Sequence, residues 1–196
     1  MPDTRIRTRG YLPHWESANG IYFVTFRLAD SMPQQVLRQL RQDALGKVQG
    51  TKDFSERLES YLDSGVGSCY LKEFGVAEIV AGSLAQFDGA RYNLLAWCIM
   101  PNHVHVVFQL RDGNLLHTVV HGWKSYTSLQ INRHLSRRGA LWQREYYDHL
   151  LRGGDQLQRA IRYTAENPRL AGLNNWQYVY VSAQASGGPA KTNVSC

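Results

Sequence analysis

The sequence lacks the features of disulfide-bonded secreted proteins, of thiolate metal sites and of membrane proteins. Only three of its 196 residues are cysteines, and no two of them form a C-x-x-C pair. An odd number without such pairs argues against a disulfide framework or a thiolate zinc site. No apolar run approaches the roughly 18 residues of a membrane helix, and no apolar signal segment follows the first residues. We therefore expect a water-soluble cytoplasmic protein without a membrane partner.

Acidic residues are also scarce relative to basic ones. The chain has 22 Lys and Arg against 16 Asp and Glu, which gives a formal net charge of +6. Such a balance favours an anionic partner, including nucleic acid, but does not identify one. The 43% of hydrophobic residues and the length predict a single domain with its own core, over residues 1–181. Residues 182–196 are rich in Ser, Ala and Gly and are expected to form a disordered tail.

Two histidines lie within a predicted buried strand, and the chain can be organised around them. His103 and His105 are flanked on both sides by apolar residues. Because side chains alternate along a strand, both imidazoles point to the same face. They can reach one divalent metal ion or one phosphate. A pair of core histidines that bond to carbonyls or water is the alternative, and spacing alone leaves both interpretations open.

Hydrophobic periodicity predicts an alternation of strands and helices along the chain. It places strands over residues 21–28, 91–99 and 103–110 with short ones near 140–142 and 146–152, and helices over residues 31–48, 73–87, 115–135 and 155–166. Pro101 has no N–H for a ladder and separates two strands. The last helix is expected to end before Pro168. Residues 49–72 are polar and contain several glycines. This composition predicts an insertion at the rim of the fold, with a short helix over residues 54–62.

The last predicted helix carries a second set of reactive side chains. Tyr163 and Asn167 are four residues apart and share a helix face, with Arg159 one turn earlier. A phenol can attack a phosphodiester when a metal polarises the phosphate. The Asn167 oxygen could be a third ligand beside the histidines, with Glu166 as the fallback. A solvent-facing stripe in which Tyr163 packs on the sheet is the alternative.

Several blocks of the sequence, taken in order, resemble the single-tyrosine HUH transposases. Residues 100–106 (MPNHVHV) match the family's His–apolar–His motif, and residues 141–149 and 161–173 resemble its two downstream blocks. The opening over residues 11–28 is similar to the branch called REP-associated tyrosine transposases. The resemblance covers residues 10–175.

This resemblance implies an α+β fold, a ferredoxin-like antiparallel sheet with helices packed on one side, as in HUH endonucleases. It implies that His103 and His105 bind a catalytic Mg²⁺ or Mn²⁺, that Asn167 is the third ligand and that Tyr163 is the nucleophile. The other candidate tyrosines rank lower because they lie outside the Tyr-x-x-x-Asn-Pro block: Tyr126, Tyr146 and Tyr147.

The implied activity is metal-dependent cleavage and strand transfer of single-stranded DNA near REP-like hairpins, through a 5′-phosphotyrosine intermediate. The partner would be single-stranded or hairpin DNA, and the protein would act as a monomer or homodimer in the nucleoid. The basic side chains that could contact phosphates are Arg5, Arg7, Arg9, Lys124, Arg133, Arg137, Arg138 and Arg159. Trp123, Trp142 and Tyr147 could stack on unpaired bases, although core packing is the simpler role.

Two other functional classes stay open. A catalytically inactive hairpin-binding regulator would keep the basic surface without needing the histidine pair and Tyr163 together. A hydrolytic metal-dependent nuclease would use water as its nucleophile and would not need the Tyr163 hydroxyl.

Overall fold

A computed structural model describes residues 4–9, 12–33, 35–36, 57 and 61–185, and its centre is a five-stranded antiparallel sheet. An N-terminal hairpin is formed by β1 (Thr4–Arg9) and β2 (Leu12–Ser17). The central strands are β3 (Ile21–Arg27), β4 (Tyr92–Ile99), β5 (His103–Leu110), β6 (Tyr147–Leu151) and β7 (Val179–Val181), in the spatial order β6-β3-β5-β4-β7. The helices are α1 (Phe74–Ala85), α2 (Leu116–His134) and α3 (Gly154–Leu170), with a 3-10 turn over Tyr70–Lys72.

This topology confirms the predicted α+β class and antiparallel sheet. The break between β4 and β5 falls at Pro101, where the missing N–H predicted it. Residues 4–9, which carry Arg5, Arg7 and Arg9, pair with β2. In place of the strand predicted near residues 140–142, the structure has a single β-bridge between Trp142 and Leu28, the residue that follows β3. The helix predicted over residues 31–48, most of the insertion and residues 186–196 of the tail lie outside the described residues.

One face of the central sheet carries the main hydrophobic core, covered by α1 and α2. Alternate residues of β3 and β5 point into this core and pack against apolar side chains of both helices. Examples from the four elements are Val24, Phe26, Val106, Phe108, Val80 and Trp123. Burial of this aromatic and branched surface is the main stabilising contribution to the fold.

The opposite face of the sheet carries α3. Phe23 and Val107 of the sheet pack there against Ile161 of α3. The helices therefore cover both faces, whereas the resemblance implied helices on one side. Because strand residues alternate, the face that holds Val107 also holds His103 and His105. The packing of α3 on this face therefore determines which side chains lie near the two histidines.

Helix α3 begins and ends differently from the prediction. Its N-cap is Gly153, and Asp155 lies in the first turn, near the positive end of the helix dipole. The helix also continues through Pro168 to Leu170. A proline this close to the C-terminus removes one backbone hydrogen bond without breaking the helix. Because the helix continues past Asn167, this residue is helical and lies on the same side of α3 as Tyr163.

A buried chain of hydrogen bonds joins α2 to the segment that precedes β6. Trp142 Nε1 donates to Thr127 Oγ1 at 2.8 Å, and the Thr127 hydroxyl donates to the Trp123 carbonyl at 2.7 Å. Trp123 and Trp142 are only 3% and 6% exposed. Both indoles are therefore core side chains and are not available to stack on bases.

We expect Thr127→Val to lower the free energy of unfolding by about 1–3 kcal/mol, because the buried Trp142 N–H would lose its acceptor. Urea unfolding at equilibrium measures this change. Thr118→Val is the matched control, since Thr118 is exposed on the same helix, and it should change stability by less than about 0.5 kcal/mol. Equal effects of the two substitutions would show that the indole finds another acceptor.

In the part of the chain that the structure describes, no helix combines the length and hydropathy that crossing a bilayer requires.

Candidate active site

His103 and His105 meet on the α3 face of the sheet, and both are fully buried. Their Nε2 atoms are 3.0 Å apart, and the two rings are inclined by 79°. Two ligand atoms about 2.1 Å from one octahedral ion, at right angles to each other, also lie about 3 Å apart. Burial lowers the pKa of His105 to about 3 and the pKa of His103 well below its ordinary value. Both imidazoles are therefore neutral, which is the form that binds a metal.

Asn102 determines which nitrogen of His103 carries the proton. The Asn102 Nδ2 donates to the carbonyls of Leu62 and Val66, each at 3.0 Å, so its Oδ1 is the atom that faces His103. His103 Nδ1 lies 2.7 Å from this oxygen and must donate to it. The lone pair of His103 then resides on Nε2, which points toward His105. Such a partner on the second ring nitrogen is usual for metal-binding histidines.

Thr25 binds His105 but, unlike Asn102 at His103, it does not determine which ring nitrogen carries the proton. Its hydroxyl lies 2.8 Å from His105 Nδ1, and a hydroxyl can donate or accept. In the structure, His105 supplies the proton between the two Nε2 atoms, and Thr25 donates to Nδ1. When a cation takes the Nε2 lone pair, the proton can reside on Nδ1 and be donated to Thr25. The site therefore accommodates both tautomers of His105.

Helix α3 brings a phenol and an amide to the histidines. The ring of Tyr163 lies edge-on to the ring of His105, with 5.4 Å between centroids. Asn167 Nδ2 donates to the Tyr163 hydroxyl at 2.9 Å. Asn167 is buried, and its Oδ1 has no hydrogen-bond partner. A buried amide oxygen without a donor suits an oxygen ligand of a hard cation.

Asp63 is a site residue that the sequence did not single out. It comes from the insertion predicted at the rim, yet its Oδ1 lies 3.7 Å from His103 Nε2. Burial raises the pKa of Asp63 to about 6, and an interaction with the Asn167 side chain partly opposes this rise. The carboxylate oxygen is buried without a hydrogen-bond partner. No local signal distinguishes this residue from the other acids of residues 49–72.

Arg27 is the second residue that was missed. It lies opposite His103 on the neighbouring strand and is 8% exposed. Its positive charge contributes to the low pKa of His103. Strand alternation could have indicated it, since Arg27 shares the face of Thr25, two residues earlier.

The donor set fits a divalent cation, but it is not complete as it stands. Among residues 4–9, 12–33, 35–36, 57 and 61–185, no three His, Cys, Asp or Glu side chains are placed to hold a metal ion. In the conformation described, His103 and His105 therefore need a further donor, and the unpartnered oxygen of Asn167 is one. The fallback ligand Glu166 is exposed and does not belong to the site.

The competing tyrosines are placed less favourably than Tyr163. Tyr126 is exposed on α2, which covers the other face of the sheet. Burial and neighbouring acids raise the pKa of Tyr146 well above its ordinary value, which disfavours a phenolate. Tyr147 is paired with Thr25 across β3 and β6 and lies on the histidine face. Tyr147 is therefore the one competitor that an experiment has to control for.

Two of the residues predicted to contact phosphates form hydrogen bonds within the fold. Lys124 Nζ donates to the carbonyls of Gln143 and Arg144 at 2.7 and 2.8 Å, and desolvation lowers its pKa to about 8. Arg137 donates to Asn132 Oδ1 at 2.6 Å and to the Ala140 carbonyl at 3.1 Å. Their N–H groups donate to the chain's own backbone and side chains, and contact of either residue with DNA stays a prediction.

The other basic residues stay predictions. Arg133, Arg138 and Arg159 are exposed, but Arg133 is on α2 and Arg159 is on α3, which cover opposite faces. One short DNA segment cannot lie along both helices at once. Arg5, Arg7 and Arg9 belong to β1, and their side chains lie outside what the structure describes.

Part of the chain is similar to known transposases. Residues 85–167 match the family model described as "Transposase IS200 like". Over 101 residues the chain is 27% identical to a protein of Haemophilus influenzae classed by name with the REP-associated tyrosine transposases. That match spans 44% of this chain and 57% of the relative, little more than half of its length.

A solved structure agrees with the fold. The chain is similar to a REP-associated tyrosine transposase bound to a REP hairpin, with a TM-score of 0.54 and 14% identity. The similarity covers 88% of this chain and 80% of that chain. Together with the family match, it confirms the resemblance predicted from the sequence and the predicted fold.

Proposed function

We propose, from the match of residues 85–167 to the IS200-like transposases, that this protein is a metal-dependent endonuclease and strand transferase for single-stranded DNA. It would cleave near hairpins through a 5′-phosphotyrosine intermediate. The hairpin bound in the structural relative supports this class of partner. One observation carries the proposal: Tyr163 contacts the ring of His105 and also binds the amide of Asn167.

The side chains would divide the chemistry among them. His103, His105 and Asn167 would hold Mg²⁺ or Mn²⁺, which when bound withdraws charge from the scissile phosphate. The Tyr163 hydroxyl loses its proton, and its oxygen forms a bond to phosphorus. The bond from phosphorus to the 3′ oxygen breaks, and that oxygen takes up a proton. Attack of another 3′-OH on the phosphotyrosine reverses these steps and joins a new strand.

The position of Tyr163 favours this reaction over hydrolysis. A hydrolytic nuclease would use the same histidines and amide but would leave a phenol in contact with them without a role. The Asn167 amide N–H steadies the phenol oxygen, and the packing of Phe23 against the Tyr163 ring fixes its direction. A nucleophile held in this way needs little reorganisation to attack.

Covalent trapping tests the proposal. The protein is incubated with Mn²⁺ and a set of labelled DNA hairpins that carry single-stranded flanks, and then denatured. We expect labelled DNA that migrates with the protein and maps to the peptide of Tyr163, with none in EDTA or with His103→Ala. His121→Ala, an exposed histidine on α2, should trap DNA as the wild type does.

The other two classes of function predict different results. Cleavage without any adduct would replace the proposal by a hydrolytic nuclease. Binding without cleavage across the whole hairpin set would replace it by a regulator.

A further inference from the structure

We propose that Asp63 is a further, anionic oxygen donor to the divalent cation that His103, His105 and Asn167 would hold. The inference rests on the proposed function and adds a ligand from the insertion, outside the motifs of the family resemblance. It follows from unpartnered acceptors, from the placement of Asp63 and from the charge of the site.

Two buried oxygen acceptors at the site have no donor. Asp63 Oδ1 and Asn167 Oδ1 are both buried without a hydrogen-bond partner. Because Asn102 keeps the proton of His103 on Nδ1, the atom of His103 nearest to Asp63 carries a lone pair, whose donor at the site is His105 Nε2. Buried acceptors of this kind are costly unless something positive lies among them. A divalent cation satisfies all of them at once.

The approach of Asp63 to His103 requires only a small adjustment. Neighbouring ligands of one divalent ion lie about 3 Å apart, and the two histidine Nε2 atoms already have this spacing. Asp63 Oδ1 is 3.7 Å from His103 Nε2, so a shift of less than about 1 Å gives this pair the same spacing. The side chain of Asp63 is 26% exposed and is therefore not locked by packing.

The position of Asp63 is set by the same residue that orients His103. Asn102 Nδ2 donates to the carbonyls of Leu62 and Val66, which lie on either side of Asp63 in the chain. A second attachment follows at Ser68, whose N–H donates to the Asp30 carboxylate at 2.9 Å. The segment is thus held at two points, by Asn102 before the histidines and by Asp30 after β3.

The charge of the site also favours an anionic ligand. The imidazoles of His103 and His105 and the amide of Asn167 are neutral, and Arg27 adds a positive charge beside His103. A buried divalent ion with only neutral ligands would be poorly compensated. Asp63 is the acidic side chain beside the two histidines and Asn167. It supplies the charge that the other ligands lack.

Mn²⁺ titration of the full-length protein tests the inference, with isothermal calorimetry and the electron paramagnetic resonance of free Mn²⁺ as readouts. We expect Asp63→Asn to weaken Mn²⁺ binding at least tenfold. Asp112→Asn, which changes the net charge equally at an exposed position in the turn after β5, should stay within twofold of the wild type. In EDTA, Asp63→Asn should unfold at the same or a higher temperature than the wild type, because a buried charge is removed.

The outcomes separate this inference from the proposed function. Wild-type affinity in Asp63→Asn, together with lost affinity in His103→Ala, would remove Asp63 from the site and leave the proposed function intact. A wild-type protein that binds no Mn²⁺ would overturn both. A lower unfolding temperature of Asp63→Asn in EDTA would overturn the inference by showing that the carboxylate is structural.

Discussion

Tyr163→Phe is expected to abolish the covalent DNA adduct and to lower the rate of strand cleavage by about 10⁴-fold or more. Removal of a nucleophile's reacting atom has effects of this size in enzymes that use covalent catalysis. The substitution removes one oxygen and leaves the ring against Phe23 and His105. The hydrogen bond from Asn167 is lost, which costs about 1 kcal/mol. Single-turnover cleavage of a labelled hairpin measures the rate.

The informative control for this experiment is Tyr147→Phe. Tyr147 lies on the same face as the histidines, next to Thr25, and has the same ring and hydroxyl. We expect it to keep adduct formation within about threefold of the wild type. If Tyr147→Phe loses the adduct and Tyr163→Phe keeps it, the nucleophile is Tyr147, and the assignment from the Tyr-x-x-x-Asn-Pro block is wrong.

Local geometry explains which parts of the site could be predicted. The period of 2 along β5 is sufficient to place His103 and His105 on one face. The spacing of four residues is sufficient to place Tyr163 and Asn167 on one side of α3. Neither rule predicts that the histidine face and the Tyr163 face lie against each other, because that depends on which side of the sheet α3 packs against. The family resemblance implied that the histidines of β5 and the residues of α3 form one site, although it also implied helices on one face of the sheet only.

Long-range contacts explain what could not be predicted. Asp63 reaches His103 because the Asn102 side chain binds backbone carbonyls about 40 residues earlier in the chain. No pattern within residues 49–72 reports such a contact. Lys124 was predicted to contact DNA because of its charge, but its partners are two carbonyls that the fold brings to α2. Composition indicates charge, and only the tertiary structure shows where a charge is used.

The second large effect is expected at Asn102. The side chain is 1% exposed and makes three hydrogen bonds, to Leu62, Val66 and His103. Asn102→Ala leaves two carbonyls and one imidazole N–H without partners. We expect the free energy of unfolding in EDTA to fall by about 2–4 kcal/mol. Urea unfolding at equilibrium measures the loss.

The same substitution should also weaken Mn²⁺ binding by about 10- to 100-fold, since partners of metal-binding histidines have effects of this size. Asn102→Asp separates the two roles, because its carboxylate can still accept from His103 Nδ1 but cannot donate to the two carbonyls. We expect it to lose stability as Asn102→Ala does and to retain more of the Mn²⁺ affinity.

The matched control is Asn114→Ala. Asn114 Nδ2 also donates to two backbone carbonyls, those of Arg111 and Asp112, at 3.2 Å each, but these atoms are exposed to water. Water can replace the lost donor there, so the change in stability should stay below about 0.5–1 kcal/mol. If Asn102→Ala binds Mn²⁺ as tightly as the wild type, packing alone orients His103. The asparagine before the two histidines would then hold the insertion in place and have no part in preparing the metal site.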